Sequence, residues 1–381
     1  MTMLPKKLQD KLNKRKEDNA LRQLSHSDGL IDFSSNDYLG LSKSEVIFNQ
    51  AHQYLKTIDM VQNGATGSRL ISGNHKLYDE VETMLCKFHK SEAALIFNSG
   101  YDANIGFFST VPQRGDFILY DEYIHASIRD GIRMNNAESY KFKHNDLNTL
   151  EELLKKVQQE DKDIYVITES VFSMDGDSPD LLRLVALCKD YNARLVVDEA
   201  HAVGLLNDNG EGLLQDLGIE TSVFARIVTF GKALGCHGAA VLGSNELKQF
   251  LVNFSRPFIY TTGLSPHALA TIKYAYKSLE DSKEREVLKD NITLFKAELE
   301  RLELSDRFIE SESAIHCCVV SGNDNVKSVA RDLQESGFDV RPILSPTVPK
   351  GKERLRFCLH SYNSKQDVIS VTERLSELIK K

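Results

Sequence analysis

The chain has 381 residues, of which 41% are apolar, 27% charged and 8% aromatic, a composition that excludes disordered, collagenous and coiled-coil classes. At about 100 to 200 residues per domain, this length predicts two domains, or a large domain with a smaller companion, and a core big enough to need no staples. Forty-seven Lys and Arg against 55 Asp and Glu leave a formal charge of −8, which repels a phosphate backbone, so no nucleic-acid partner is expected.

At the start of the chain, Leu4, Leu8 and Leu12 recur at helical spacing between lysines. Residues 4–22 are therefore expected to form an amphipathic helix with a basic face, in an N-terminal region running to residue 44. Its charges stand where a secretory signal needs an apolar run, and no later window approaches the roughly 18 apolar residues of a membrane span. A cytoplasmic protein without a membrane partner is expected. From residue 45, helical patterns such as KLYDEVETMLCKFH alternate with the short apolar runs AALIF, DFILY, DIYVITE, ARLVVDE and ARIVTF. That alternation predicts an α/β fold: a large domain over 45–270 whose mostly parallel sheet is covered by helices on both faces. Near residue 264 the rhythm changes to long helical stretches, followed by strands at AIHCCVV, FDVRPI and RLRFCLH and a last helix from about 365. A smaller C-terminal α+β domain over 271–381 follows. Six cysteines, several in apolar runs and none in a C-x-x-C pair, point to reduced, mostly buried thiols and to no metal site.

Ligands of open parallel sheets bind beyond the carboxyl ends of the strands, so the residues after each apolar run are the ones to inspect. Lys232 lies in TFGKALG between Gly231 and Gly235, and Ala233 stands where a Walker loop needs Ser or Thr. Asp198 directly follows three apolar residues, where a carboxylate is costly unless a cation pairs with it; the plainer alternative is a helix cap. A lysine for a Schiff base and an acid for a pyridinium are the two groups that pyridoxal phosphate requires. His201, three residues on, is placed to reach the ring oxygen or is a structural histidine. Ser99, Gly100 and Tyr101 open an apparent helix after a strand, where main-chain N–H groups and the helix dipole favour a phosphate. Thr229 adds a hydroxyl there or belongs to its strand.

In order along the chain, FSSNDYLGLS, ATGSRLISGNH, FNSGYDAN, TESVFSMDGD, VVDEAHAVG, TFGKALG, RPFIYTT and PTVPKGKERLRFCLH resemble the α-oxoamine synthases, pyridoxal-phosphate enzymes of fold type I. The resemblance implies that Lys232 carries the cofactor as a Schiff base, Asp198 faces the pyridine nitrogen, Ser173 and His201 approach the ring hydroxyl, and His125 stacks on the ring. It implies that Gly100, Tyr101 and Thr229 hold the phosphate, with Thr261 or Thr262 serving the phosphate of a partner subunit in a homodimer. Asn36 and Arg356 match positions for the amino-acid carboxylate, and Arg22 a substrate-side arginine. The branch most resembled condenses L-alanine with pimeloyl-CoA or a pimeloyl-carrier protein in biotin biosynthesis; sister branches use glycine or serine. VVDEAHAVG departs from the family's usual DDAHGTG ending. A ligand-binding regulator on the same scaffold would add a DNA-binding module, which the short N-terminal region is not expected to hold.

Overall fold

The computed structural model describes residues 4–22, 24, 29–159, 161–280 and 282–380. Its strands, in chain order, are β1 (Ile31–Asp32), β2 (Ala93–Phe97), β3 (Phe117–Asp121), β4 (Glu138–Phe142), β5 (Ile164–Glu169) and β6 (Arg194–Asp198). There follow β7 (Ala225–Thr229), β8 (Ala239–Gly243), β9 (Ile315–Val319), β10 (Phe338–Asp339), β11 (Arg341–Ile343) and β12 (Arg354–Cys358). Two compact units result: Leu39–Ser173 with Ser178–Arg285, and Met1–Tyr38 with Met174–Asp177 and Glu286–Lys381.

The larger unit carries a seven-stranded sheet in the order β2-β8-β7-β6-β5-β3-β4. Only β8 runs against its neighbours; the pairs from β7 to β4 are all parallel. Side chains alternate between the two faces of a strand, and both faces here are apolar. Tyr165, Ile167 and Val196 therefore join one core cluster, which takes in Phe107, Ile128 and Leu251 from helices on that side. Ile164, Val166, Leu195 and Val197 join a second cluster with Leu150, Leu154, Leu181 and Leu184. This is the mostly parallel, helix-covered α/β architecture that the alternating pattern predicts. The helix Pro266–Leu279 packs on the helices Glu45–Thr57 and Lys76–Phe88, so the larger unit extends to Arg285 rather than ending near 270.

In the smaller unit, β11, β12 and β9 form an antiparallel sheet. Phe295 of the helix Glu284–Arg301 lies against Phe308, His316 and Phe357, with ring centroids 4.9 to 5.8 Å apart. The N-terminal helix spans Lys6–Glu17, shorter than 4–22: Pro5 occupies its N-cap, and Asn19 turns the chain at φ +46°. The region after it is no independent segment, because β1 pairs in parallel with β10, Ile31 facing Phe338 and Asp32 facing Asp339. Met174–Asp177 belongs here too. The buried Asp175 and Arg354 pair, and the hydroxyls of Ser311 and Ser313 both donate to Gly176 O at 2.8 Å. All six cysteines are free thiols, four of them buried. Among the described residues, no helix is long and apolar enough to cross a membrane.

Candidate active site

The carboxyl ends of adjacent strands in the larger unit bring three buried acids into one region: Asp121 at the end of β3, Glu169 at the end of β5 and Asp198 at the end of β6. Glu169 and Asp198 are register partners. Asp198 is 5% exposed and is not a helix cap. Its Oδ1 accepts from Ala200 N at 2.9 Å, closing a turn, and its Oδ2 accepts from Asn104 Nδ2 at 2.9 Å. Each oxygen thus takes one N–H, and an ionised carboxylate retains lone pairs for a further charged donor.

Asn104 connects Asp198 to the predicted ring-stacking residue. The same Nδ2 donates to Ser127 Oγ at 3.0 Å, and Ser127 Oγ lies 2.7 Å from His125 Nδ1. Since Ser127 N also donates to Nδ1 at 3.2 Å, that nitrogen is an acceptor and the imidazole proton sits on Nε2. The His125 ring is solvent-accessible, as a group that stacks on a ligand must be. Crowding by protein nonetheless lowers its pKa; Asp198 opposes that shift and Lys232 reinforces it. His125 N donates to Glu169 Oε1 at 2.5 Å. Burial, together with the charge of Asp198, pushes the Glu169 carboxyl up to about 8, against the pull of Lys232.

Ser99 caps the helix Gly100–Phe108, its Oγ accepting from Asp102 N at 3.1 Å. A Cβ on Gly100 would stand 3.4 Å from Thr229 Oγ1, which brings the end of β7 to the helix start and leaves the first main-chain N–H groups approachable. Tyr101 is exposed and donates through its hydroxyl to Asp130 at 2.9 Å. Asn98 Nδ2 donates to Thr261 Oγ1 at 3.1 Å and to Thr262 O at 2.7 Å, so RPFIYTT is fastened beside this helix start. Ser173 and His201 are buried and Lys232 half-buried in the same unit. The Lys232 loop is shaped by Gly235, at φ +61°, where a Cβ would strike the Ser42 main chain. Beneath the Asp198 turn, Arg226 donates to Glu199 Oε2 through Nε at 2.8 Å and Nη2 at 2.5 Å.

A capped helix start with a threonine hydroxyl beside it suits a phosphate. A buried carboxylate with lone pairs to spare suits a protonated pyridine nitrogen, and the amine of Lys232 suits a carbonyl carbon. The donor set therefore fits pyridoxal phosphate. The predicted substrate residues fall in the smaller unit. Arg356 Nη2 donates to Asn36 Oδ1 at 3.0 Å and Tyr38 donates to the same oxygen at 3.1 Å, so Asn36 and Arg356 meet. Arg22 is exposed and lines a cavity of about 1230 Å³ in that unit. Asn104, Ser127 and Glu169 escaped the sequence reading. Glu169 follows an apolar run just as Asp198 does, so the strand-end rule already contained it; Asn104 stood inside FNSGYDAN without a role.

Residues 28–375 match the sequence model of the family described as aminotransferase class I and II. A curated relative from Emericella nidulans, named 8-amino-7-oxononanoate synthase, is 38% identical over 98% of this chain and 96% of its own length. The structure of an 8-amino-7-oxononanoate synthase from Francisella tularensis superimposes with a TM-score of 0.79 at 29% identity, covering 93% of this chain and 98% of that one. A serine palmitoyltransferase from S. paucimobilis, solved with a PLP–myriocin aldimine, gives a TM-score of 0.88 at 26% identity, covering 98% and 97%. Fold type I architecture, the gathered strand-end residues and these likenesses agree: the chain belongs to the class I and II aminotransferase family, in its α-oxoamine synthase branch.

Proposed function

We propose that the protein is a pyridoxal-phosphate-dependent acyltransferase that condenses L-alanine with a pimeloyl thioester, releasing carbon dioxide and the free thiol and yielding 8-amino-7-oxononanoate. The observation that carries this reading is the 38% identity, over nearly the full length of both chains, to a synthase of that name, on a chain whose strand ends gather the donors the cofactor needs. Pyridoxal phosphate, when bound, supplies an electron sink for a carbanion at the amino acid's Cα. Lys232 would hold the cofactor through its amine, and its Nζ would serve as the base that takes the Cα proton. Asp198 keeps a proton on the pyridine nitrogen, and Asn104 keeps Asp198 oriented. His125, its Nδ1 engaged by Ser127, presents a ring to stack, while Ser173 and His201 attend the ring hydroxyl. Ser99, Gly100, Tyr101 and Thr229 hold the phosphate. In the smaller unit, Arg356, positioned by Asn36, grips the alanine carboxylate, and Arg22 attends the acyl substrate.

The active form is a homodimer, with Thr261 or Thr262 reaching the partner's phosphate. Leu70, Ile71, Phe254 and Tyr260 leave 51 to 87% of their surface exposed in the single chain, as an apolar contact surface would. The serine palmitoyltransferase likeness supports a second reading, with serine as the amine. Thiol release by the holoenzyme with alanine, glycine or serine and thioesters of several lengths separates the two. Alanine with a pimeloyl donor is expected to lead; turnover only with serine and long chains would overturn the biotin-branch reading. Lys232→Ala is expected to abolish both the visible absorbance of linked cofactor and turnover.

A further inference from the structure

His125 and Ser173, the residues read as stacking on the cofactor ring and approaching its hydroxyl, stand on loops after the ends of β3 and β5. Loops move unless something holds them, and a binding residue on a loop needs a rigid support. Main-chain bonds supply part of the hold. Tyr123 N donates to Asp121 Oδ1 at 2.7 Å, Ile124 N to Asp121 O at 3.2 Å and His125 N to Glu169 Oε1 at 2.5 Å. His144, two positions beyond the end of β4, adds a side chain to it. Its ring stacks on Tyr123, with centroids 4.4 Å apart and planes 29° from parallel, and meets Phe172 edge-on at 4.5 Å and 86°. Tyr123 precedes His125 by two residues, and Phe172 directly precedes Ser173. One imidazole thus packs between the two loops that carry the ring residues.

That imidazole is itself fixed in rotation. The fully buried Asp121 accepts from Tyr123 N, from Asn145 N at 2.8 Å and from His144 Nδ1 at 2.9 Å. An ionised carboxylate can only accept, so Nδ1 carries the proton. His144 N also donates to Glu122 Oε1 at 3.3 Å, which ties its main chain to the loop before His125. Packing between Tyr123 and Phe172 alone would be served by any flat apolar ring. A buried carboxylate and imidazole cost more to desolvate than such a ring, and what they add is direction. A hydrogen bond holds the ring to one plane, and both aromatic neighbours rest against that plane.

We propose that His144, oriented by Asp121, is a positioning residue that sets His125 and Ser173 together against the cofactor ring. It acts through Tyr123 on one loop and Phe172 on the other. The orientation of the bound ring therefore depends on His144, while the grip on the amino-acid carboxylate, assigned to Arg356 in the smaller unit, does not. This inference rests on the proposed roles of His125 and Ser173, and its spectral test needs no condensation.

The test measures visible circular dichroism of the holoenzyme, divided by the amount of bound cofactor read from its absorbance. Pyridoxal phosphate is achiral, so this signal arises only because the protein holds it in one orientation. Three variants separate the parts: His144→Phe keeps the packing and loses the bond to Asp121, His144→Asn keeps a donor for Asp121 and loses the ring, and His144→Ala loses both. His144→Ala is expected to lose more than about half of the signal per bound cofactor and to weaken cofactor binding by about 10-fold, with the other two in between. In turnover, kcat should fall by about 10-fold in His144→Ala while the KM for alanine stays within about 2-fold. A histidine that only stabilises the fold would lower Tm and leave the signal per bound cofactor unchanged, and that result would overturn the proposal. Full signal in His144→Phe would overturn it too, since packing alone would then suffice, as would a raised KM for alanine at unchanged kcat. The expected spectral losses in a protein that condenses no amino acid with any thioester would support the positioning role and overturn the synthase reading.

Discussion

Asp198 acts through what its oxygens have left to give. One N–H reaches each of them, and the remaining lone pairs are what the proposed pairing with a protonated pyridine nitrogen would use. Replacing the acid by its amide keeps the shape and loses the charge. Asp198→Asn is expected to retain cofactor, seen in its absorbance, and to lose about 2 to 3 orders of magnitude in kcat; near-normal turnover would leave Asp198 as only the anchor of a turn. Arg356→Ala tests the proposed grip on the amino-acid carboxylate. Its cofactor absorbance should stay intact while apparent alanine affinity falls by about 10- to 100-fold in a titration. Glu169 gives a pH signature. Its carboxyl is raised from 4.5 to about 8 in the fold, so the folded state holds a proton that the unfolded chain releases near 4.5. The stability this confers is complete below about pH 4.5 and lost as pH rises through about 8. In apoenzyme, Tm should therefore drop across that window, and Glu169→Gln, neutral at every pH, should flatten the drop.

At the scale of elements, β2, β3, β5, β6 and β7 were legible because both faces of a parallel sheet must be apolar, as in AALIF or ARLVVDE; β4, largely exposed at the sheet's edge, and the antiparallel β8 were not read. Their ends were legible for the converse reason: a charge directly after such a run needs a purpose. What could not be read was side-chain geometry between elements. Asn104, on the helix Gly100–Phe108, joins Asp198 at the end of β6 to Ser127 on the helix Ala126–Arg133, and no local periodicity encodes that. Nor does any pattern announce that a two-residue strand at Ile31 pairs with one at Phe338. The Lys232 loop is an element whose shape depends on one missing methyl. Gly235→Ala places a Cβ against the Ser42 main chain at a positive φ. The loop should shift, weakening cofactor retention on dialysis by about 10-fold or more, with Tm lowered as well. Unchanged retention would detach the glycine from the site.

For the whole molecule, Leu70, Ile71, Phe254 and Tyr260 are exposed in the single chain, and the proposed homodimer would cover them. Light scattering should report about twice 42.9 kDa at micromolar concentration. Ile71→Asp with Phe254→Asp should shift the mass toward one chain and cost activity in proportion, because the phosphate site then lacks its partner's threonine; a monomer of full activity would remove that threonine from the mechanism.

The pairing of β1 with β10 also sets a timetable. A ribosome delivers residues from the N-terminus, yet the segment before Leu39 finds its strand partner only at Phe338, some three hundred positions later. The larger unit has all seven of its strands once residue 243 has emerged, so it can close early. Met174–Asp177 and the first strand must wait for the last hundred residues. Pulse proteolysis of stalled nascent chains should accordingly show the sheet of the larger unit protected first, while the first 38 residues stay cleavable until synthesis is nearly complete.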